Sequence, residues 1–237
     1  MNHEKHLVVI LAFLTGIIGL IRPVNMIILL ILPFLAQDIS NLKSGMYFIL
    51  KNRWTSVLSL ILFLSVISIQ LIIYKISTGN FLVFSYKNEG FIFTDPHFID
   101  ILFSYKKGLF LYTPIFLLSL AGLCFLWKSN KFGFYTVAIF LLVITYVFSS
   151  WNNWWYGGSF SSRVYTEFIG LFAVLLGIAV EQARSAIIRK TVLSLALLFV
   201  ILYQVQIYQY RYYYIHWENM TKEQYWDVFL RIDKLID

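Results

Sequence analysis

Seven long stretches of this chain carry no Asp, Glu, Lys or Arg: residues 6–21, 23–37, 54–74, 108–127, 132–162, 168–180 and 191–210. A hydrocarbon core of about 30 Å takes roughly 20 apolar residues in a helix that rises about 1.5 Å per residue. Stretches 54–74, 108–127 and 191–210 have that length as they stand. The stretch 132–162 exceeds it, and its polar and aromatic end, from Ser149 through Trp151, Trp154 and Trp155 to Ser159, puts the helix terminus near Phe148. The first two stretches are short and divided only by Arg22-Pro23. Proline bars a continuous helix and disfavours the α region in the residue before it, so these two predict a helical hairpin.

The pattern predicts an all-α, polytopic integral membrane protein with about seven membrane helices. Residues 1–210 form its transmembrane domain, with outer loops 75–107 and 150–167. Residues 211–237 form an extracytoplasmic, amphipathic C-terminal segment. Within it, Thr221 and Gln224 read as a capping box ahead of a helix with Trp226, Phe229, Ile232 and Ile236 on one side, the pattern of an interfacial anchor.

Composition agrees. The chain has 237 residues, 59% apolar and 13% charged, against about 45–50% and about 25% in ordinary globular proteins. That excludes a soluble enzyme, a disordered chain and a collagen-like fibre. Lys and Arg are enriched in cytoplasmic connections. Connections 1–6, 37–53, 128–132 and 181–190 hold nine basic residues in 38 positions, whereas 22–25, 75–107, 150–167 and 211–237 hold ten in 82. The first set is therefore assigned to the cytoplasm, with the N-terminus inside and the C-terminus outside. The net charge of +7 suits anionic headgroups and is no signal for nucleic acid. No small-x-small cleavage pattern follows Leu7 to Ile21, so no cleavable signal peptide is expected. The single cysteine, Cys124, forms no internal disulfide.

The unusual residues lie in the outer loops. In 75–107, Asp95 and Pro96 read as the start of a short helix, with Phe98, Ile101, Leu102 and Tyr105 at helical spacing, lying on the membrane surface. Lys106 and Lys107 follow it. They suit two roles: snorkelling to headgroups at a helix end, or binding phosphate. In 150–167, the tryptophans suit an interfacial belt. Tyr156-Gly157-Gly158 with Arg163 suits either a tight turn or a backbone cradle for an anion backed by a guanidinium. Arg22, at the hairpin tip, is either a functional membrane arginine or one that snorkels outward.

A carboxylate base within these loops would come from Glu89, Asp95, Asp100 or Glu167, and Glu89 is the candidate named; each equally suits a solvated carboxylate or a cap. No catalytic residue is assigned from the sequence. His3, His6, His97 and His216 have no ligand spacing, so no metal site is expected, and no P-loop, GxGxxG or GxSxG points to a cofactor.

Several motifs occur in one order: Leu20-Ile21-Arg22-Pro23-Val24-Asn25, Ser85-Tyr86-Lys87-Asn88-Glu89-Gly90-Phe91, Leu102-Phe103-Ser104-Tyr105-Lys106-Lys107-Gly108, Tyr112-Thr113-Pro114, and Trp154-Trp155-Tyr156-Gly157-Gly158-Ser159-Phe160 with Arg163. Together they resemble polytopic membrane proteins of Bacteroidetes-type bacteria grouped with the GT-C glycosyltransferases, the class of protein O-mannosyltransferases and lipid A aminoarabinose transferases. The resemblance covers roughly Ile17 to Val180. It implies a chain in the bacterial inner membrane that passes a sugar from a polyprenyl-phosphate donor to a glycan or lipid acceptor on the outer face. A carboxylate would take the acceptor's proton, and cations, here Arg163, Lys106 and Lys107, would steady the leaving lipid phosphate.

Such enzymes carry their key acid in the first outer loop, where this chain has Arg22-Pro23-Val24-Asn25, and they have more helices. The resemblance thus implies a C-terminal portion of a longer protein. Two other readings stay open: an O-antigen polymerase- or ligase-like enzyme, and a non-catalytic transporter or envelope-assembly subunit.

Overall fold

The computed structural model describes residues 3–84, 86 and 89–231. Ser85, Lys87 and Asn88 of the second motif, and Ile232 and Ile236 of the C-terminal segment, lie outside the described residues. The described chain is helical with connecting turns, and its strand-like pairing is an isolated antiparallel bridge between Phe91 and Trp151. Among the described residues, five helical segments are long and apolar enough to cross a membrane: Glu4–Ile21, Arg53–Thr78, Lys131–Ser149, Arg163–Glu181 and Ala186–Arg211. The other two apolar stretches form shorter helices, Pro23–Ala36 and Pro114–Ser129.

The chain divides into two compact units, residues 1–88 with 135–140, and 89–134 with 141–237. In the first unit, α1 (His3–Ile21) packs against α4 (Arg53–Thr78), with Val66 buried. The predicted break at Pro23 is present: Arg22 is extended (φ −156°, ψ 97°), and the chain continues as a 3-10 segment, Pro23–Ile31, and α2 (Leu32–Ala36). Helix α3 (Ile39–Lys51) starts at Asp38, whose side chain accepts from the Asn41 amide at 2.8 Å.

The second unit holds α5 (Phe98–Phe103), α6 (Leu109–Tyr112), α7 (Pro114–Ser119), α8 (Ala121–Ser129), α9 (Lys131–Ser149) apart from residues 135–140, a 3-10 turn (Arg163–Phe168), α10 (Ile169–Glu181), α11 (Ala186–Arg211) and α12 (Lys222–Val228). The sequence predicts one span over 108–127, but the chain there is broken twice. Thr113, forced from the α region by Pro114, sits at φ −133°, ψ 63°, and a second junction falls at Leu120. The pieces α7 and α8 pack on α10. Phe116 stacks on Phe172 at 4.3 Å, and a Cβ on Gly122 would come within 2.2 Å of the Leu175 carbonyl oxygen, so only glycine allows this approach.

Helix α5 starts later than predicted, with His97 at its N-cap, and its Ile101 is fully buried rather than facing a surface. The capping box of α12 is formed as predicted, by Thr221 and Gln224. Another face of that helix is packed inward: Tyr225 and Val228 are buried in a cluster with Tyr112, Ile215 and Met220, while Trp226 of the expected anchor face is exposed. Gln206 and Gln209, one turn apart on α11, donate to the Tyr225 hydroxyl at 2.9 Å and the Val228 carbonyl at 2.6 Å.

Candidate functional site: a cationic cluster walled by tryptophan

Backbone hydrogen bonds knit the two outer loops of the second unit together. The Ile92 amide donates to the Ser150 carbonyl at 2.6 Å, the Asn152 amide to the Gly90 carbonyl at 2.9 Å, and the His97 amide to the Ser149 carbonyl at 2.9 Å. Glu89 braces the same junction, accepting from the Trp151 indole and the Asn153 amide, each at 3.3 Å. The candidate base is thus engaged in holding the loop.

A tight turn after α5 carries the lysines. The Gly108 amide bonds back to the Ser104 carbonyl at 2.8 Å, and the Lys107 amide to the Ser104 hydroxyl at 3.2 Å. From this turn the two side chains take different roles. Lys107 is buried, with 2% of its surface exposed, and its ammonium donates to the Ser159 and Trp217 carbonyls and lies 5.5 Å from the Tyr210 ring centre. Lys106 is half-buried, its Nζ 3.3 Å from the centre of the Trp155 ring and 5.9 Å from that of Trp154. The Trp155 indole in turn donates to Glu218 at 3.0 Å.

Arg163 opens the 3-10 turn and is exposed; its guanidinium makes no hydrogen bond or ion pair with another described residue, though its charge is felt at Lys107. Burial pushes the Lys107 ammonium down from 10.5 to about 8; Glu218 opposes this, while the positive charges of Lys106 and Arg163 add to it. Lys106 is also lowered by burial, against the pull of Glu218. Lys106 and Lys107 therefore share the carboxylate of Glu218. Beside them, the Ser162 hydroxyl is buried and has no hydrogen-bond partner among the described residues.

The Gly157-Gly158 pair shapes this site by backbone geometry. Tyr156 (φ 53°) and Gly157 (φ 68°) are both left-handed, the Tyr156 hydroxyl is tied to the Phe148 carbonyl at 2.9 Å, and a Cβ on Gly158 would lie 2.8 Å from the Trp217 ring. Arg22 belongs to the first unit, half-buried at the turn between α1 and the 3-10 segment.

Of the residues singled out from sequence, Lys106, Lys107, Tyr156, Gly157, Gly158 and Arg163 fall in one neighbourhood. Trp217, Glu218 and Tyr210 were missed because nothing local in the sequence signals that the stretch between the last long helix and the Thr221–Gln224 capping box returns to the loops. His97 was also missed as a site residue. Its Nδ1 lies 3.0 Å from Asp100 Oδ2, and its ring stacks on Trp154 at 5.8 Å. The i, i+3 spacing of His97 and Asp100 ahead of a helical pattern was the signal available. Among the described residues no cluster of three His, Cys, Asp or Glu side chains could hold a metal ion. No family model, no curated protein and no solved structure matches the chain.

Proposed function

We propose that this chain is a multi-pass, GT-C-like membrane glycosyltransferase, or the donor-binding part of one, which takes a polyprenyl-phosphate-linked sugar at the outer face of the bacterial inner membrane. Arg163 and Lys106 grip the lipid phosphate. The tryptophans 154, 155 and 217 flank the sugar and the first isoprene units. Lys107 holds the loops in place and adds positive charge to the site.

The observation that carries this reading is the placement of charge: Lys106 and Lys107 both face the carboxylate of Glu218, the positive charge of Arg163 acts on Lys107, and the exposed Arg163 guanidinium makes no hydrogen bond or ion pair with another described residue. A phosphate monoester or diester supplies the missing negative charge, and a guanidinium matches two of its oxygens at once. Arg163→Ala in the full-length protein, reconstituted in lipid nanodiscs, should weaken binding of undecaprenyl phosphate by about tenfold or more without loss of folding. Unchanged affinity would remove the assignment.

A further inference from the structure

The second unit carries an aromatic face that phosphate binding does not use. Phe91 and Phe93 stack at 5.3 Å, 6° from parallel, and Phe91 meets the Trp151 ring at 4.8 Å. Phe93 and Phe98 both pack on Tyr146, at 5.6 and 5.9 Å. Phe91, Phe93, Phe98 and Tyr146 nevertheless stay 37–48% exposed. A connected apolar patch of this kind marks a surface that something covers.

Tyr146 fixes the level at which the face lies. It belongs to α9, whose 19 residues make a helix about 28 Å long, close to the ~30 Å of a hydrocarbon core. Tyr146 stands three residues, about 4.5 Å, before the helix end at Ser149. One turn deeper on the same side of α9, Leu142 is 67% exposed, which suits acyl chains and not water. The Tyr146 hydroxyl donates to the Phe93 carbonyl at 2.9 Å and ties the loop to this level. The aromatic face therefore continues the exposed side of a membrane-length helix.

Lipid admits a loop only where its backbone polar groups are paired. Here the Ile92 amide donates to the Ser150 carbonyl, the Asp95 amide to the Ile92 carbonyl and the His97 amide to the Ser149 carbonyl. Asp95 is exposed in the turn between Phe93 and Phe98, and a carboxylate stays with water and headgroups. The segment thus has the make-up of an interfacial one, with rings for the acyl boundary and an acid for the headgroup layer.

Resting on the membrane reading but not on the phosphate one, we propose that Phe91, Phe93 and Phe98, with Tyr146, form a lipid-docking face. It seats the two loops in the leaflet where α9 ends. Because this stretch is hydrogen-bonded to Ser149, Ser150 and Asn152, it holds the tryptophan loop that follows at headgroup depth. A lipid phosphate then meets the loop from within the bilayer.

The test uses the full-length wild-type protein in nanodiscs of phosphatidylcholine that carries a diazirine in its acyl chain. After illumination, fragment mass spectra should place lipid adducts among residues 91–98 as well as near Leu142. Adducts near Leu142 with none among 91–98 overturn the docking face. Hydroxyl radicals made in the water then tell what covers it: oxidised Phe93 and Phe98 mean water, and spared ones mean a protein partner. Adducts among 91–98 with none near Leu142 overturn the continuity with α9 on which the face rests. Absence of both overturns the membrane reading with it. Undecaprenyl phosphate binding, measured in the same discs, reports the phosphate reading separately.

Discussion

The Lys107 ammonium donates to the carbonyl of Trp217, a residue 110 positions away. Through this bond, and a second one to the Ser159 carbonyl, one buried cation joins the turn after α5, the tryptophan loop and the C-terminal segment. The two accepting carbonyls replace the water that the buried ammonium gives up, which offsets part of the cost of its burial.

Lys107→Met removes that donor while keeping the side chain's bulk. The variant should lose about 1–2 kcal/mol of stability, since two carbonyls lose their charged donor. Thermal unfolding in detergent, compared with wild type, reads this directly, and an unchanged Tm would remove the structural role.

Titration of Lys107 predicts a pH dependence. Its folded value, about 8, lies below the 10.5 of an exposed lysine, so between these two the unfolded chain binds more protons than the folded one. Stability therefore rises with pH across that window, and the neutral amine still has two N–H groups for its two carbonyls. The wild-type profile should carry this rising component and the Lys107→Met profile should lack it. Over the same range, loss of the charge should weaken undecaprenyl phosphate binding.

Glu218→Gln keeps an acceptor for the Trp155 indole and removes the negative charge facing the lysines. Anionic lipid should bind several-fold tighter, about 3- to 10-fold at low ionic strength, with the gain shrinking as salt screens it. A titration at two salt concentrations checks both parts.

The two glycines should respond differently to alanine. At Gly157 the cost is backbone strain, about 1 kcal/mol, because φ is 68° while no atom lies within 4 Å of a new Cβ. At Gly158 it is collision with Trp217, about 1–3 kcal/mol, and it should alter the environment of that indole. Tryptophan fluorescence should therefore change in Gly158→Ala and stay near wild type in Gly157→Ala.

Tyr225→Ala empties the cluster that docks the C-terminal segment, where Tyr225 packs on Tyr105 and Tyr112 and receives the Gln206 hydrogen bond. The loss should be about 3–5 kcal/mol, with the segment beyond Arg211 becoming sensitive to protease. Tyr225→Phe, which loses only the hydroxyl, should cost about 1 kcal/mol.

Hydropathy and local stereochemistry determined the long apolar helices, the break at Pro23 and the Thr221–Gln224 capping box, all of which depend on neighbours a few residues apart, but not the breaks within 108–127 or the start of α5. They also marked Lys106, Lys107, Gly157, Gly158 and Arg163 as unusual. Tertiary structure decided how those residues divide their work. Lys106 and Lys107 are adjacent in sequence, yet one lies against Trp155 and the other is buried on two carbonyls, because the turn at Gly108 sends them to different partners. It also brought in Glu218 and Trp217, and seated His97 on Trp154. Contacts across 50 to 120 positions depend on which backbone groups are left needing partners once the helices have packed, and no local pattern in the chain carries that information.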